Sequence, residues 1–269
     1  MTRLLPLLVL LGVVAPSAAA QLYIAAALVS DRDAAPGDTY EDVVPIVNPT
    51  DEPRQAKLYV TDYRFNAAGQ NWYDEPGTMP RSNATWVAFG APTVTIPPNA
   101  TLDVPYQVSV PEDATLSGTY WSMLMVEEVP KESAESTLGV EGDPDAGFGV
   151  RRRIRYGVQV ASHIRNTGAL DLAITQAELL GTPEGGRMLR LDVENTGTRS
   201  GETRVYLDLF TVEGESVGRF DGSRARIYPG TSFRHSVPLD SVAAGGYEAL
   251  IVVDAGDEQL FGAQYTLEL

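Results

Sequence analysis

The 269 residues are enough for two domains with cores of their own, and the absence of cysteine excludes disulfide scaffolds, thiolate metal sites and cysteine nucleophiles. A formal charge of −16, spread along the chain, makes nucleic acid and anionic lipid poor partners. Lysine occurs only at Lys57 and Lys131, so arginine carries nearly all the positive charge.

Arg3, the apolar run at residues 4–14 and the small residues Ala18, Ala19 and Ala20 have the form of a secretory signal peptide, with Gln21 as the mature N-terminus. The apolar run falls short of the roughly 20 residues a bilayer span requires, and no later stretch reaches that length. The expectation is an exported protein without a membrane span, placed first in the periplasm and second at the cell surface or outside the cell.

From there on, period-two alternation recurs between clusters of Pro, Gly, Asn and Asp, as in Leu58-Tyr59-Val60-Thr61 and at residues 102–110 and 205–212. Many short strands separated by turns predict an all-β fold built from sandwiches. The pattern also occurs twice. Val47-Asn48-Pro49-Thr50 ends one strand, Pro97-Pro98-Asn99 makes a turn, and Gly118-Thr119-Tyr120 opens a long apolar strand ending near Val129. In the second half, Val193-Glu194-Asn195-Thr196-Gly197, Tyr228-Pro229-Gly230 and Gly246-Tyr247 take the same places. The fold expected is therefore two tandem immunoglobulin-like β-sandwich domains, residues 21–165 and 166–269, after a signal peptide at residues 1–20.

The first copy carries an extra stretch, about residues 66–92, with Trp72, Tyr73 and Trp86. It reads as a long loop that either covers an open sandwich end or contacts a partner. Residues 130–149 are rich in Glu, Ser, Gly, Pro and Asp and read as a mobile hairpin loop. Next comes a two-faced strand, with Ile154, Tyr156, Val158 and Val160 apolar and Arg151, Arg153, Arg155 and Gln159 polar. Asn166-Thr167-Gly168 breaks it.

The search for chemistry finds no catalytic constellation and no cofactor or small-molecule site. His163 and His235 stand in separate predicted strands, neither with a second nitrogen ligand nearby, so no metal site is assigned. Gly214-Glu215-Ser216-Val217-Gly218 matches the nucleophile-elbow pattern but joins two strands rather than a strand and a helix. Glu127 and Glu128 are strand neighbours that point to opposite faces, which rules out paired-carboxylate chemistry. Asp143, Asp145 and Gly147 match part of a calcium loop and lack its closing glutamate. The sequons at Asn83 and Asn99 suggest exposed turns.

The run from Gly118 to Lys131, with Tyr120-Trp121 followed by Val126-Glu127-Glu128-Val129-Pro130, resembles the end of the first-domain F strand in PapD-like periplasmic pilus chaperones. Val47-Asn48-Pro49 with Pro53, and Arg153-Ile154-Arg155-Tyr156, look like that family's turn and its basic G strand. The resemblance implies a non-enzymatic protein that binds subunits of a surface fibre by strand donation, with Ile154, Tyr156, Val158 and Val160 as the donor row. It also implies a basic pair gripping a partner carboxylate, Arg32 and Arg153, with Arg151 or Arg152 as substitutes. The residues themselves allow a plainer reading, in which the same apolar row packs on its own core. A second resemblance is to two-domain Ig-like modules of bacterial surface proteins, which share the Gly-x-Tyr strand and Asn-Thr-Gly turn. It implies a cell-surface scaffold or adhesion module that binds protein or glycan through loops such as residues 66–92.

Overall fold

The computed structural model describes residues 21–131, 133, 135, 136, 138, 154–183, 186–256 and 259–269. The leader, the partial calcium motif at Asp143, Asp145 and Gly147, and Arg151 to Arg153 lie outside the described residues.

In chain order the first half holds β1 (Tyr23–Ile24), β2 (Val29–Ala34), β3 (Thr39–Asn48), β4 (Arg54–Phe65), β5 (Asn71–Asp74), one 3-10 turn (Ala84–Trp86), β6 (Val87–Phe89), β7 (Thr93–Ile96), β8 (Ala100–Ser109), β9 (Thr119–Val129) and β10 (Arg155–Ile164). The second holds β11 (Leu172–Gly181), β12 (Arg187–Asn195), β13 (Gly201–Thr211), β14 (Ser216–Ile227), β15 (Ser232–Pro238), β16 (Gly246–Asp254) and β17 (Leu260–Glu268). Sheets β1-β3-β8-β6 and β2-β10-β9-β4-β5, the latter with β7 also on β4, face each other as one sandwich. Sheets β11-β12-β15 and β14-β13-β16-β17 form the other. The fold is all-β, two Ig-like sandwiches in tandem. The first strand changes sheets: β1 pairs antiparallel with β3, while β2 pairs parallel with β10.

Alternation decides what each strand buries. In β8, Val104, Tyr106 and Val108 point inward against Val44 and Ile46 of β3; in β13, Val205, Leu207 and Leu209 point inward against Ile251 and Val253. Each fully buried aliphatic side chain of this kind contributes about 1.5–3 kcal/mol. β9 departs from the rule because it is central and covered on both sides. Its Leu124 and Val126 face the sandwich core, whereas Trp121, Met123 and Met125 form a separate buried cluster with Tyr63, Ala161 and Tyr228.

The sequence repeat has a physical basis at two buried asparagines. The Asn48 amide lies within hydrogen-bond reach of the carbonyls of Glu52 (2.8 Å), Ile96 (3.1 Å) and Pro97 (3.0 Å), and its oxygen accepts from Thr50 N (3.0 Å). Asn195 repeats the offsets, donating to Arg199 O (2.8 Å) and Ile227 O (3.1 Å) and accepting from Gly197 N (2.9 Å). Each pins a strand end to the turn that follows the isoleucine. Those turns need a left-handed residue, supplied by Asn99 (φ 49) and Gly230 (φ 72).

Two expectations are corrected. Residues 66–92 are not one long loop: β5 pairs with β4, β6 joins the opposite sheet through β8, and Trp86 packs against the core and Tyr120. The organiser is Asp62, fully buried, which accepts from Gly77 N (3.0 Å), Met79 N (2.6 Å), Thr78 Oγ1 (3.2 Å) and Ser82 Oγ. Such charge-assisted bonds from backbone amides offset the cost of burying a carboxylate. Asn83 is likewise no exposed turn. It is fully buried and donates to Val160 O (3.1 Å) and Ser162 Oγ (3.0 Å), whereas Asn99 is exposed as expected.

Candidate partner-binding site

β10 is paired along its whole length on one side and along part of it on the other. Against β9 the register runs from Arg155↔Glu127 to His163↔Thr119. Against β2 it starts only at Gln159↔Val29 and runs to Ile164↔Ala34. From Arg155 to Val158, no described strand lies on the outer side. The direction of the backbone groups follows from the bonds made further along. Gln159 N donates to Leu28 O (2.8 Å) and Arg165 N to Ala34 O (3.0 Å), so odd residues face β2; Ile164 N donates to Gly118 O (2.8 Å) on the β9 side. Continuing the alternation aims the N–H and C=O of Arg155 and Gly157 at the open edge.

The four predicted donor residues divide. Val158 (4% exposed) and Val160 (0%) belong to the core of their own sandwich, with Leu124, Val126 and Ile46. Tyr156 is half-buried against that core, and Ile154, also half-buried, immediately precedes the strand. Arg32, on β2, stands opposite Ser162 with its side chain on Asp42 (3.4 Å). It therefore sits beside the covered part of β10, away from the open edge, and Arg153 lies outside the described residues.

Gly157 was not singled out by its pattern, yet a glycine inside an alternating strand signals close approach of something else. Here the visitors are sulfurs: a Cβ at Gly157 would lie 2.6 Å from Met123 Sδ and 3.4 Å from Met125 Sδ. The polarizable thioethers fill the outer face where a side chain would otherwise stand.

Next to the edge the two sandwiches are locked together. Tyr228, fully buried, stacks on Trp121 (centroids 4.7 Å apart, planes at 18°), and its hydroxyl donates to Gln159 Oε1 (2.8 Å). Burial pushes the Tyr228 phenol well above its usual range. A polar chain runs beside it. Arg226 pairs with Asp31 (2.8 Å), Asp31 with His163 Nε2 (3.2 Å), His163 Nδ1 with Thr119 Oγ1 (2.8 Å), and Ser200 N donates to Thr119 Oγ1 (2.9 Å). Burial alone would raise the Asp31 carboxyl, but the His163 hydrogen bond and the Arg226 charge outweigh it and hold Asp31 below its usual value. Backbones also meet closely. A Cβ on Gly118 (φ +72) would fall 2.0 Å from Thr198 O.

On the β4 and β5 side of the junction lies a cleft of about 770 Å³, lined by Arg64, Arg81, Trp121 and the Asn195 and Gly230 turns among others. Its arginines are engaged, Arg64 by Asp74 (2.9 Å) and Arg81 by Ser117 O (2.8 Å). Among the described residues no group of three or more His, Asp or Glu side chains is placed to hold a metal ion. Ser216 of the elbow-like pattern opens β14 directly after the turn at Gly214 (φ 85), so it stands in a hairpin.

No family model matches the sequence, and no curated protein does. Among solved structures, many that resemble this chain over nearly its whole length are PapD-like fimbrial chaperones. The CFA/I fimbriae chaperone–tip adhesin complex gives 12% identity over 91% of this chain and 98% of that one, TM-score 0.48. The class 5 fimbriae chaperone CfaA gives 13% identity over 93% and 100%, TM-score 0.46. The CsuC–CsuE pre-assembly complex of Acinetobacter baumannii Csu pili gives 13% identity over 90% and 98%, TM-score 0.46.

Proposed function

We propose that this protein is a non-enzymatic, periplasmic chaperone-like binder that holds subunits of a surface fibre by β-strand addition at β10. The observation that carries the reading is the open edge from Arg155 to Val158, with the backbone groups of Arg155 and Gly157 facing outward. An unpaired strand edge is a template for another strand, and main-chain bonds there supply affinity while alternate side chains supply selectivity. Ile154 and Tyr156, both half-buried beside that edge, are the donor residues left to enter a partner. Val158 and Val160 complete the row by stiffening it from within. The motif at Tyr120 to Pro130 supports a fibre subunit as the partner.

Strand addition uses backbone, so the test separates backbone from side chain. Arg155→Pro removes an outward N–H that no described strand uses, at the first residue of a strand, where proline is tolerated. Capture of a co-exported fibre subunit is expected to fall at least tenfold in Arg155→Pro and to survive in Arg155→Ala. Equal capture by both variants would overturn the proposal. The scaffold reading through residues 66–92 is less well supported, since β5, β6 and Trp86 are built into the sandwich and Tyr73 is the one of its three named aromatics that stands exposed.

A further inference from the structure

The outer face of the second sandwich carries a charge arrangement that folding alone does not explain. Strands β13 and β14 bring Glu202 opposite Arg226 and Asp208 opposite Arg219, but Arg204 opposite Arg224. Like charges directly across a ladder are unfavourable. Arg204 turns away to Asp221 (2.7 Å). Arg226 is taken by Asp31 (2.8 Å) and Glu202 (3.2 Å).

Arg224, exposed, is left with nothing. Among the described residues it is the one Lys or Arg without a hydrogen bond, ion pair or ring contact; the others are held by carboxylates, by backbone carbonyls or, for Arg155, by Tyr59. In a chain of net charge −16 that is unexpected, because carboxylates are abundant. The register shift between Arg204 and Tyr206 sets Arg224 on a bulged part of the strand, a device that re-aims side chains. Both arginines border an open cavity of about 520 Å³, together with Arg226, Glu202 and Asp254.

We propose that Arg224, with Arg204 beside it, anchors a carboxylate in this cavity. A guanidinium fork donates to both oxygens of a carboxylate. The pairing selects the ligand class: Asp221 holds Arg204, Asp31 and Glu202 hold Arg226, and Arg224 alone has no carboxylate, so one guanidinium is open to one negative charge, and a dianion such as phosphate is disfavoured by Glu202, Asp254 and the acidic chain around them. The site is on the sandwich that does not carry the open strand edge, and it does not rest on that reading.

The test uses the full chain labelled with 15N-arginine, following the side-chain Nε–Hε resonances. Acetate is expected to move those of Arg224 and Arg204 saturably, at concentrations at least tenfold lower than phosphate at equal ionic strength. Arg224→Gln should abolish saturation at Arg204, and Arg224→Lys should restore it in part. A glutamate-containing peptide that saturates the site below the acetate concentration assigns a protein as the source; acetate saturating first assigns a free small carboxylate. Absence of saturation, unchanged saturation in Arg224→Gln, or phosphate matching acetate would each overturn the site.

Discussion

The corner at Asn48 and the corner at Asn195 share two donated bonds and one accepted bond but close on different residues. Both asparagines hold a carbonyl four residues on and the carbonyl of an isoleucine. After Ile96 comes Pro97, exposed to water; after Ile227 comes Tyr228, fully buried against Trp121 of the other sandwich. The corner is thus a repeated part for fixing a sheet, and the second copy has been given an added duty, joining the halves. The corner uses only the backbone of the residue after the isoleucine, so its side chain was free to take it.

Tyr228→Ala removes the ring from the junction and is expected to cost about 3–5 kcal/mol, as large aromatic truncations do. In urea denaturation it should also separate the unfolding of the two halves. The three tryptophans, Trp72, Trp86 and Trp121, all lie in the first sandwich, so fluorescence reports that half while far-ultraviolet dichroism reports both. Coincident transitions in the variant would show that the junction does not couple them.

Asn48→Ala and Asn195→Ala should each cost about 3 kcal/mol, because one buried and at least one part-buried carbonyl lose their donor at roughly 1–3 kcal/mol apiece. Asn48→Ala moves the fluorescence transition directly. Asn195→Ala reaches it only through the junction and should move it less. Equal shifts in fluorescence would mean that the two corners are not independent parts. Tyr228→Phe, which keeps the stack and loses only the bond to Gln159, should cost about 1 kcal/mol.

The smallest expected effect is a slope. His235, fully buried between Thr203 and Ser223, is held below its ordinary 6.5 by burial, against a smaller opposing bond to the Ser223 backbone. A base with a depressed folded-state value is neutral when folded. Its contribution is fully present above about pH 6.5 and is lost as pH falls below that value. Stability followed by dichroism should fall progressively from pH 6.5 downward, and His235→Gln should flatten that slope. A pH-independent wild-type transition over this range would remove His235 as its cause.

What could be read from the sequence was whatever repeats locally. Alternation placed β8, β10 and β13, and the Asn-turn pattern exposed the duplication, because side-chain period and turn chemistry are properties of neighbouring residues. The elements within residues 66–92 were not legible. Their organiser, Asp62, acts on residues 15 to 20 positions away, so nothing beside it in the chain shows why a charge is buried there. Asn83 misled for the same reason: its partners, Val160 and Ser162, come from a strand far along the chain. The apolar row of β10 was visible, but which part of it lacks a neighbour depends on where β2 begins.

That starting point of β2 has a consequence of its own. Because Val29 occupies the rim of β10 from Gln159 onward, a strand arriving from outside meets the end of a rail. On the proposed reading, a partner strand laid on that edge runs out at Val158, where the chain's own second strand takes over the backbone groups of β10. Any register in which the partner slid on toward Ile164 is closed to it by the protein itself.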